Sequence, residues 1–318
     1  MNKPKVIVIT GPTATGKSAL GAILAKSANG EVVSADSMQI YRHMNIGTAK
    51  PMPEERLGVP HHMIDIIPPW EDYSVARYVA DASRCIDGIV RRGRVPIIVG
   101  GSGLYIDSLI SGRDFSDRGD GGKRRELEAD YDANGGGAML LRLREFDPES
   151  AAKLHPNDKK RIVRAFEVYS ATNKPISQHD AETKAVPPRY DAKKFALVFA
   201  DRKILYARID KRVDDMLEKG LQDEVRGLLD MGVPPGSTAM QAIGYKEMID
   251  VVLGGCGLSF AADRIKMETR RYAKRQLTWL RRDAGVKWVN MVNERNETAV
   301  LREILGFIED FRETGNLV

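Results

Sequence analysis

The residues with the clearest chemical capacity come early: Gly11-Pro12-Thr13-Ala14-Thr15-Gly16-Lys17-Ser18, after the apolar run Val6-Ile7-Val8-Ile9 and before a helix-forming run, Ser18–Ala28. The spacing is that of the phosphate loop, G-x-x-x-x-G-K-[ST], in its strand–loop–helix setting. The glycines let the chain curl so that successive N–H groups face an anion. The helix N-terminus adds partial positive charge, and Lys17 adds a full one. Ser18 is placed to hold a Mg²⁺ that bridges two phosphates. A diphosphate-bearing ligand is therefore expected across residues 11–18. ATP and GTP hydrolases and phosphoryl transferases share this loop, which does not say which bond breaks.

An acid at a strand exit could hold magnesium or orient a nucleophile, and Asp36 and Asp201 have that position. Asp36 opens Asp36-Ser37-Met38-Gln39-Ile40-Tyr41. Its polar members can bond the edge of a base, while Met38 and Tyr41 offer soft or flat surfaces. Two readings of Asp36 stand: an N-cap on a following helix, or a general base close to the phosphate loop. Tyr41 and Tyr245 read either as stacking platforms for a base or as packed core. His61 and His62 are strand neighbours that face opposite sides, so they cannot share one metal ion. Each is expected to be a hydrogen-bonded structural residue.

A long helix is predicted over Phe260–Arg282, which neither Gly nor Pro interrupts. At about 100° per residue, Arg264, Arg271, Arg275 and Arg282 fall within about 20° of one line. Ile265, Tyr272, Ala273, Trp279 and Leu280 fill an adjacent sector. Glu268 is the only acid between Arg264 and Arg282. Surface helices ordinarily alternate charge, so either acids elsewhere balance this one or it meets a polyphosphate. The reading favoured is nucleic acid, with Arg271 and Arg275 as contacts.

The elements that must position these groups alternate. Strands are predicted at Val6–Thr10, Glu31–Ala35, His62–Ile66 and Val95–Val99, and helices at Lys17–Ala28, Ser74–Arg92 and Leu104–Ile110. This pattern predicts an α/β fold: a P-loop-type parallel sheet core with helices on both faces. Ligands gather beyond the carboxyl ends of such strands. Three exits carry polar chemistry: the phosphate loop, Ala35-Asp36-Ser37 and Gly100-Gly101-Ser102. Between 115 and 190 the texture changes, with Gly119-Asp120-Gly121-Gly122, Asn134-Gly135-Gly136-Gly137 and Pro187-Pro188 around charged helical stretches. We expect a mainly helical inserted domain there, with slack glycine joints. It should move relative to a core made of residues 1–114 and 191–318. A strand returns at Phe195–Ala200, another follows at Lys287–Met291, and a helix closes the chain near Thr298–Arg312.

The whole chain has 318 residues, 42% hydrophobic and 29% charged, with net charge +5, which is ordinary for a globular protein. No apolar run reaches the ~18 residues of a membrane span, and Met1-Asn2-Lys3-Pro4 leads into a strand without a signal sequence. Cys85 and Cys256 are the only cysteines and form no CxxC, so neither a disulfide framework nor a zinc site is supported. The expectation is a cytoplasmic protein, with nothing demanding more than a monomer.

The phosphate loop, Ser34-Ala35-Asp36-Ser37-Met38-Gln39-Ile40-Tyr41 and Asn45-Ile46-Gly47-Thr48-Ala49-Lys50-Pro51 together resemble the opening of the tRNA dimethylallyltransferases. His61-His62-Met63-Ile64-Asp65, Gly100-Gly101-Ser102-Gly103-Leu104-Tyr105 and Asp158-Lys159-Lys160-Arg161-Ile162-Val163-Arg164-Ala165 continue the match. Gln241-Ala242-Ile243-Gly244-Tyr245-Lys246 and Arg271-Tyr272-Ala273-Lys274-Arg275-Gln276-Leu277-Thr278-Trp279 complete it. The likeness runs in order over residues 6 to about 282 and, lacking a zinc-finger extension, is to the bacterial type. It implies that the loop holds dimethylallyl diphosphate with Mg²⁺ at Ser18, and that the acceptor is N6 of adenosine 37 in the anticodon stem-loop of tRNAs reading codons that begin with U. It further implies that Asp36 accepts the N6 proton, and that Ser102 stands where the family usually has Thr. Arg212, in Arg208-Ile209-Asp210-Lys211-Arg212, would serve the diphosphate. Residues 36–39, Ser102, Arg124, 160–164 and 241–246 would contact tRNA.

Three other functions share parts of this pattern. A kinase would consume ATP and need no RNA. A prenyltransferase acting on free nucleotides would have no use for a helical insertion or an arginine-rich helix. A non-catalytic RNA-binding switch would not need Asp36 for turnover.

Overall fold

Val6, Val8, Ile7 and Ile9 are wholly buried in β1 (Lys5–Thr10), which lies inside a parallel sheet. Its strands are β2 (Gly30–Ser34), β3 (His61–His62), β4 (Val95–Val99), β5 (Asp191–Val198) and β6 (Val286–Asn290), in the order β3-β2-β4-β1-β5-β6. The computed structural model describes residues 3–112, 121–291 and 297–313. Alternate strand residues face opposite sides. Ile7 and Ile9 pack with Leu20 and Leu24 of α1 (Lys17–Ser27) and with Val300 and Ile304 of α12 (Glu297–Glu313). Val33 and Ile98 are buried as completely, and α2 (Val75–Arg91) packs on their strands. The expected parallel core with helices on both faces is what forms.

β3 is shorter than its expected span of His62–Ile66. Met63 and Asp65 have φ of 64° and 56°, and this left-handed backbone turns the chain out of the sheet. His61 Nδ1 bonds Val59 O at 2.9 Å, and His62 Nε2 bonds Glu31 Oε2 at 2.7 Å, so both are structural, as expected. Lys50 braces the long loop after β2. It is buried, and its Nζ donates to Tyr41 O, Asn45 Oδ1 and Asp65 Oδ1 at 2.8, 3.0 and 2.5 Å.

By internal contacts the chain forms two units, Met1–Ile110 with Arg189–Val318, and Ser111–Pro188. The expected joint at 114/115 and Gly119-Asp120 lie outside the described residues. The smaller unit comprises α4 (Gly121–Phe146), α5 (Pro148–Lys153), α6 (Lys159–Thr172) and α7 (Ile176–Ala185), around Leu127, Met139, Leu143, Ile162, Val163 and Phe166. Gly135, at φ 77°, breaks α4 into two helices. The expected slackness at these glycines is not found at Gly136, where a Cβ would lie 1.8 Å from Pro156 O. The glycine is there for close packing inside the unit. α3 (Gly103–Ser111) ends the first part of the larger unit. After β5 come α8 (Arg202–Glu218), α9 (Leu221–Asp230), α10 (Tyr245–Val252) and α11 (Leu258–Leu280). Among the described residues no helix is long and apolar enough to cross a membrane.

Candidate active site

The phosphate loop leaves β1 through Gly11, at φ 137°, where a Cβ would lie 2.3 Å from Leu197 O on β5; only glycine fits that approach. Gly16 starts α1 at φ 87°. Side chains engage the loop's outward atoms. Pro12 O accepts from Thr15 Oγ1 and Lys17 Nζ at 2.9 and 2.7 Å, Ala14 O accepts from Arg208 Nε at 3.0 Å, and Thr13 N donates to Gln276 Oε1 at 2.9 Å. The amides of residues 14–18 have no protein acceptor among the described residues, which is the arrangement an anion needs. Lys17 is held down to about 7 by burial, then by the charge of Arg212, with Asp36 opposing. Burial also lowers Arg212, again opposed by Asp36. Two crowded, half-buried cations of this kind favour an anion between them.

Asp36 follows β2 and Ser102 follows β4. These exits are pressed together, since a Cβ on Gly100 would lie 2.2 Å from Ala35 O. No helix follows Asp36, so the N-cap reading fails. Its Oδ1 instead accepts from Met38 N at 2.9 Å in a local Asx turn, which aims the carboxylate without consuming Oδ2. Ser102 Oγ accepts from Ser37 N at 3.1 Å and donates to Ser37 Oγ at 3.3 Å. A cavity of about 370 Å³ is lined by Thr13, Asp36, Ser37, Met38 and Arg212, by Gln241, Ala242, Ile243 and Lys246, and by Tyr272 and Arg275. A second, of about 290 Å³, is lined by Ser37, Ser102, Leu104, Tyr272, Arg275 and Trp279, among others.

Several expected residues lie elsewhere. Tyr41 and Tyr245 are fully buried, and Tyr245 OH donates to Glu224 Oε1 at 2.5 Å; neither can stack on a base. Gly244 caps α10 at φ 97°. Gln39 is 8% exposed, accepting from Ser34 Oγ and donating to Thr48 O. Asp201 caps α8 through Lys203 N, away from both cavities. In the smaller unit Ile162 and Val163 are core residues, so of residues 160–164 it is Lys160, Arg161 and Arg164 that reach solvent. Arg161 pairs with Asp158, and Arg164 and Arg124 share Glu167.

On α11 acids from elsewhere balance the charges of the first part of the helix. Arg264, Lys266 and Arg270 pair with Asp250, Asp214 and Asp210, and Arg271 with Glu268. Lys274, Arg275, Arg281 and Arg282 have no ion-pair partner among the described residues. Tyr272 and Gln276 are site residues that sequence reasoning missed. The signal for Tyr272 was there: Ile265, Tyr272 and Trp279, seven apart, all line a cavity. Its hydroxyl is pushed up to about 12 by burial and by the charge of Asp36, with Ser102 beside it opposing. Nothing local signalled Glu224. Its carboxylate accepts from the amides of Asn45, Ile46 and Gly47 and so fixes a wall of the larger cavity.

A family model described as IPP transferase matches residues 39–283, and one described as isopentenyl transferase matches residues 4–65. The chain belongs to the IPP transferase family. Members similar to it include a tRNA dimethylallyltransferase of Carboxydothermus hydrogenoformans, 51% identical over 92% of this chain and 94% of that protein. Another, from Geobacter sulfurreducens, is 48% identical over 91% and 92%. Among solved IPP transferases, the full-length tRNA isopentenylpyrophosphate transferase of Bacillus halodurans has 42% identity and a TM-score of 0.72, covering 98% of this chain and 99% of that one. A eukaryotic dimethylallyltransferase captured acting on tRNA reaches a TM-score of 0.85 at 31% identity, covering 98% of this chain and 80% of its own. Like its relatives, this IPP transferase is an enzyme of prenyl transfer.

Proposed function

We propose that the protein transfers the dimethylallyl group of dimethylallyl diphosphate to N6 of adenosine 37 in tRNAs reading codons that begin with U, releasing diphosphate. The observation that carries this reading is that Thr13 of the phosphate loop, Arg212 and Asp36 line one cavity. A diphosphate, its C1 carbon and an attacking amine can meet there. The C1–O bond breaks, the C1–N6 bond forms, and the N6 proton passes to Asp36. An exocyclic amine is a weak nucleophile because its lone pair is delocalised into the ring. A positioned base therefore contributes ~10²–10⁴-fold. Oδ2 of Asp36 is the oxygen free for this, and Ser102, which bonds Ser37 next to Asp36, steadies the loop that carries the carboxylate. Lys17, Arg212 and the amides of residues 14–18 hold the charge that develops on the leaving diphosphate.

Among the described residues no group of three or more His, Cys, Asp or Glu could hold a metal. The exposed Ser18 hydroxyl at the start of α1 suits an ion bound mainly through diphosphate and water, as Mg²⁺ is. When bound, Mg²⁺ would add charge neutralisation on the leaving group. Bringing the base out of the anticodon-loop stack costs a few kcal/mol, and stacking returns about 1–3 kcal/mol. Tyr272, bordering both cavities, is the aromatic placed to supply it. Arg275 with Lys274 on α11, and Arg124, Lys160, Arg161 and Arg164 in the insertion, take the anticodon stem-loop. One chain lines the whole cavity, so a monomer suffices. Labelled dimethylallyl diphosphate, supplied with Mg²⁺ and either tRNA, AMP or no acceptor, tests the reading. Label is expected in tRNA alone; label in AMP, or phosphate released from ATP instead, would defeat it.

A further inference from the structure

Gln276 is 7% exposed on α11, yet both ends of its amide are engaged by loops far away in sequence. Oε1 accepts from Thr13 N at 2.9 Å, and Nε2 donates to Gly101 O at 3.0 Å. A Cβ on Gly101 would lie 2.2 Å from Nε2, so glycine at 101 admits this amide. Thr13 crowns the phosphate loop. Ser102, next to Gly101, bonds Ser37 beside Asp36. One side chain thus ties the diphosphate cradle to the loop that carries the acceptor-side hydroxyl, and α11 is its support.

We propose that Gln276 is a positioning residue that sets the separation between the diphosphate cradle and the Ser102–Asp36 side, and hence the alignment of donor carbon with acceptor amine. The inference rests on the prenyl-transfer reading above. Both polar ends of Gln276 are used within the protein, so its influence falls on alignment more than on binding. A displacement of about 1 Å in such a site costs ~10²-fold in rate.

The test uses two variants of the full chain in single-turnover transfer with both substrates saturating. Gln276→Leu makes neither bond. It is expected to transfer ~10²-fold more slowly, with the KM for each substrate changed by less than about 3-fold, because only alignment is lost. Gln276→Glu as a carboxylate accepts from Thr13 N–H but repels Gly101 O. Once protonated it donates to Gly101 O while still accepting from Thr13 N–H. Its rate relative to the native enzyme should therefore rise ~10-fold or more between about pH 8.5 and about pH 5.5. A role in folding alone would lower the melting temperature without this pH-dependent recovery. A Gln276→Glu rate that stays low at both pH values, native transfer by Gln276→Leu, or a loss confined to KM would overturn the proposal. Should Gln276→Leu fail to fold, the Glu variant decides. A native enzyme that prenylates no tRNA would count against the reaction assigned above, a result distinct from any of these.

Discussion

At the scale of single residues, the proposed reaction divides its chemistry between Asp36 and Lys17. Asp36 uses Oδ1 locally, on Met38 N, and leaves Oδ2 for the proposed proton transfer. Asp36→Ala should retain tRNA binding and lose at least ~100-fold in turnover. Near-native turnover in a steady-state assay would sink the base assignment. Lys17 is held near 7 in the free protein, chiefly by burial. A diphosphate in the cradle favours the charged lysine, so binding above that pH must draw in a proton. Titration calorimetry with inorganic diphosphate, in buffers of different ionisation enthalpy, should show uptake approaching one proton near pH 8.5 and little near pH 6. Equal uptake at both would exclude Lys17 as the group. The same depression bears on stability. The unfolded chain binds this proton up to its ordinary 10.5, so Lys17 makes the fold more stable as pH rises from about 7 towards 10.5.

At the scale of elements, α11 decides most. One stripe of it, Ile265, Tyr272 and Trp279, borders the cavities, while Gln276 bonds two loops. Arg264, Lys266 and Arg270 are paired by acids of α10 and α8, and Arg271 by Glu268 of α11 itself. This leaves Lys274 and Arg275, with Arg281 and Arg282 just past the helix, without an ion pair among the described residues. Arg275→Ala should weaken tRNA binding and flatten the dependence of log Kd on log salt by ~1. Arg271→Ala, whose side chain is already on Glu268 at 2.6 Å, should change the slope by clearly less. Equal slopes for the two variants would show that RNA meets another face. α8 contributes through spacing: Arg208 and Arg212, one turn apart, reach the phosphate loop and the cavity respectively.

At the scale of the whole molecule, the chain leaves the larger unit after Ile110 and returns at Arg189, whose N–H donates to Ile110 O at 2.9 Å. The ends of the insertion meet, so residues 113–187 can be replaced by a short glycine linker without stretching the core. The shortened protein should melt cooperatively and bind inorganic diphosphate as the native chain does, while losing affinity for tRNA. Undiminished tRNA affinity in a filter-binding assay would remove the insertion from recognition.

What could be read along the chain was local. The phosphate loop, the apolar strands and the glycine turns write their backbone requirements in adjacent residues, so the parallel core and the strand–loop–helix setting of the phosphate loop followed from sequence, as did the structural histidines. The β3 length did not, and the sequence left Asp36 as cap or base and Tyr41 and Tyr245 as platform or core, because each depends on what comes next in space. No helix follows Asp36, left-handed residues turn the chain after His62, and Glu224 draws Tyr245 inward. Only the tertiary structure put Gln276 between Thr13 and Gly101, paired the first half of α11 with acids from two other helices, and turned Tyr272 towards Asp36. Contacts between residues so far apart in sequence, up to 263 positions for Thr13 and Gln276, leave no period or motif, because they arise only once the sheet has brought its strand ends together.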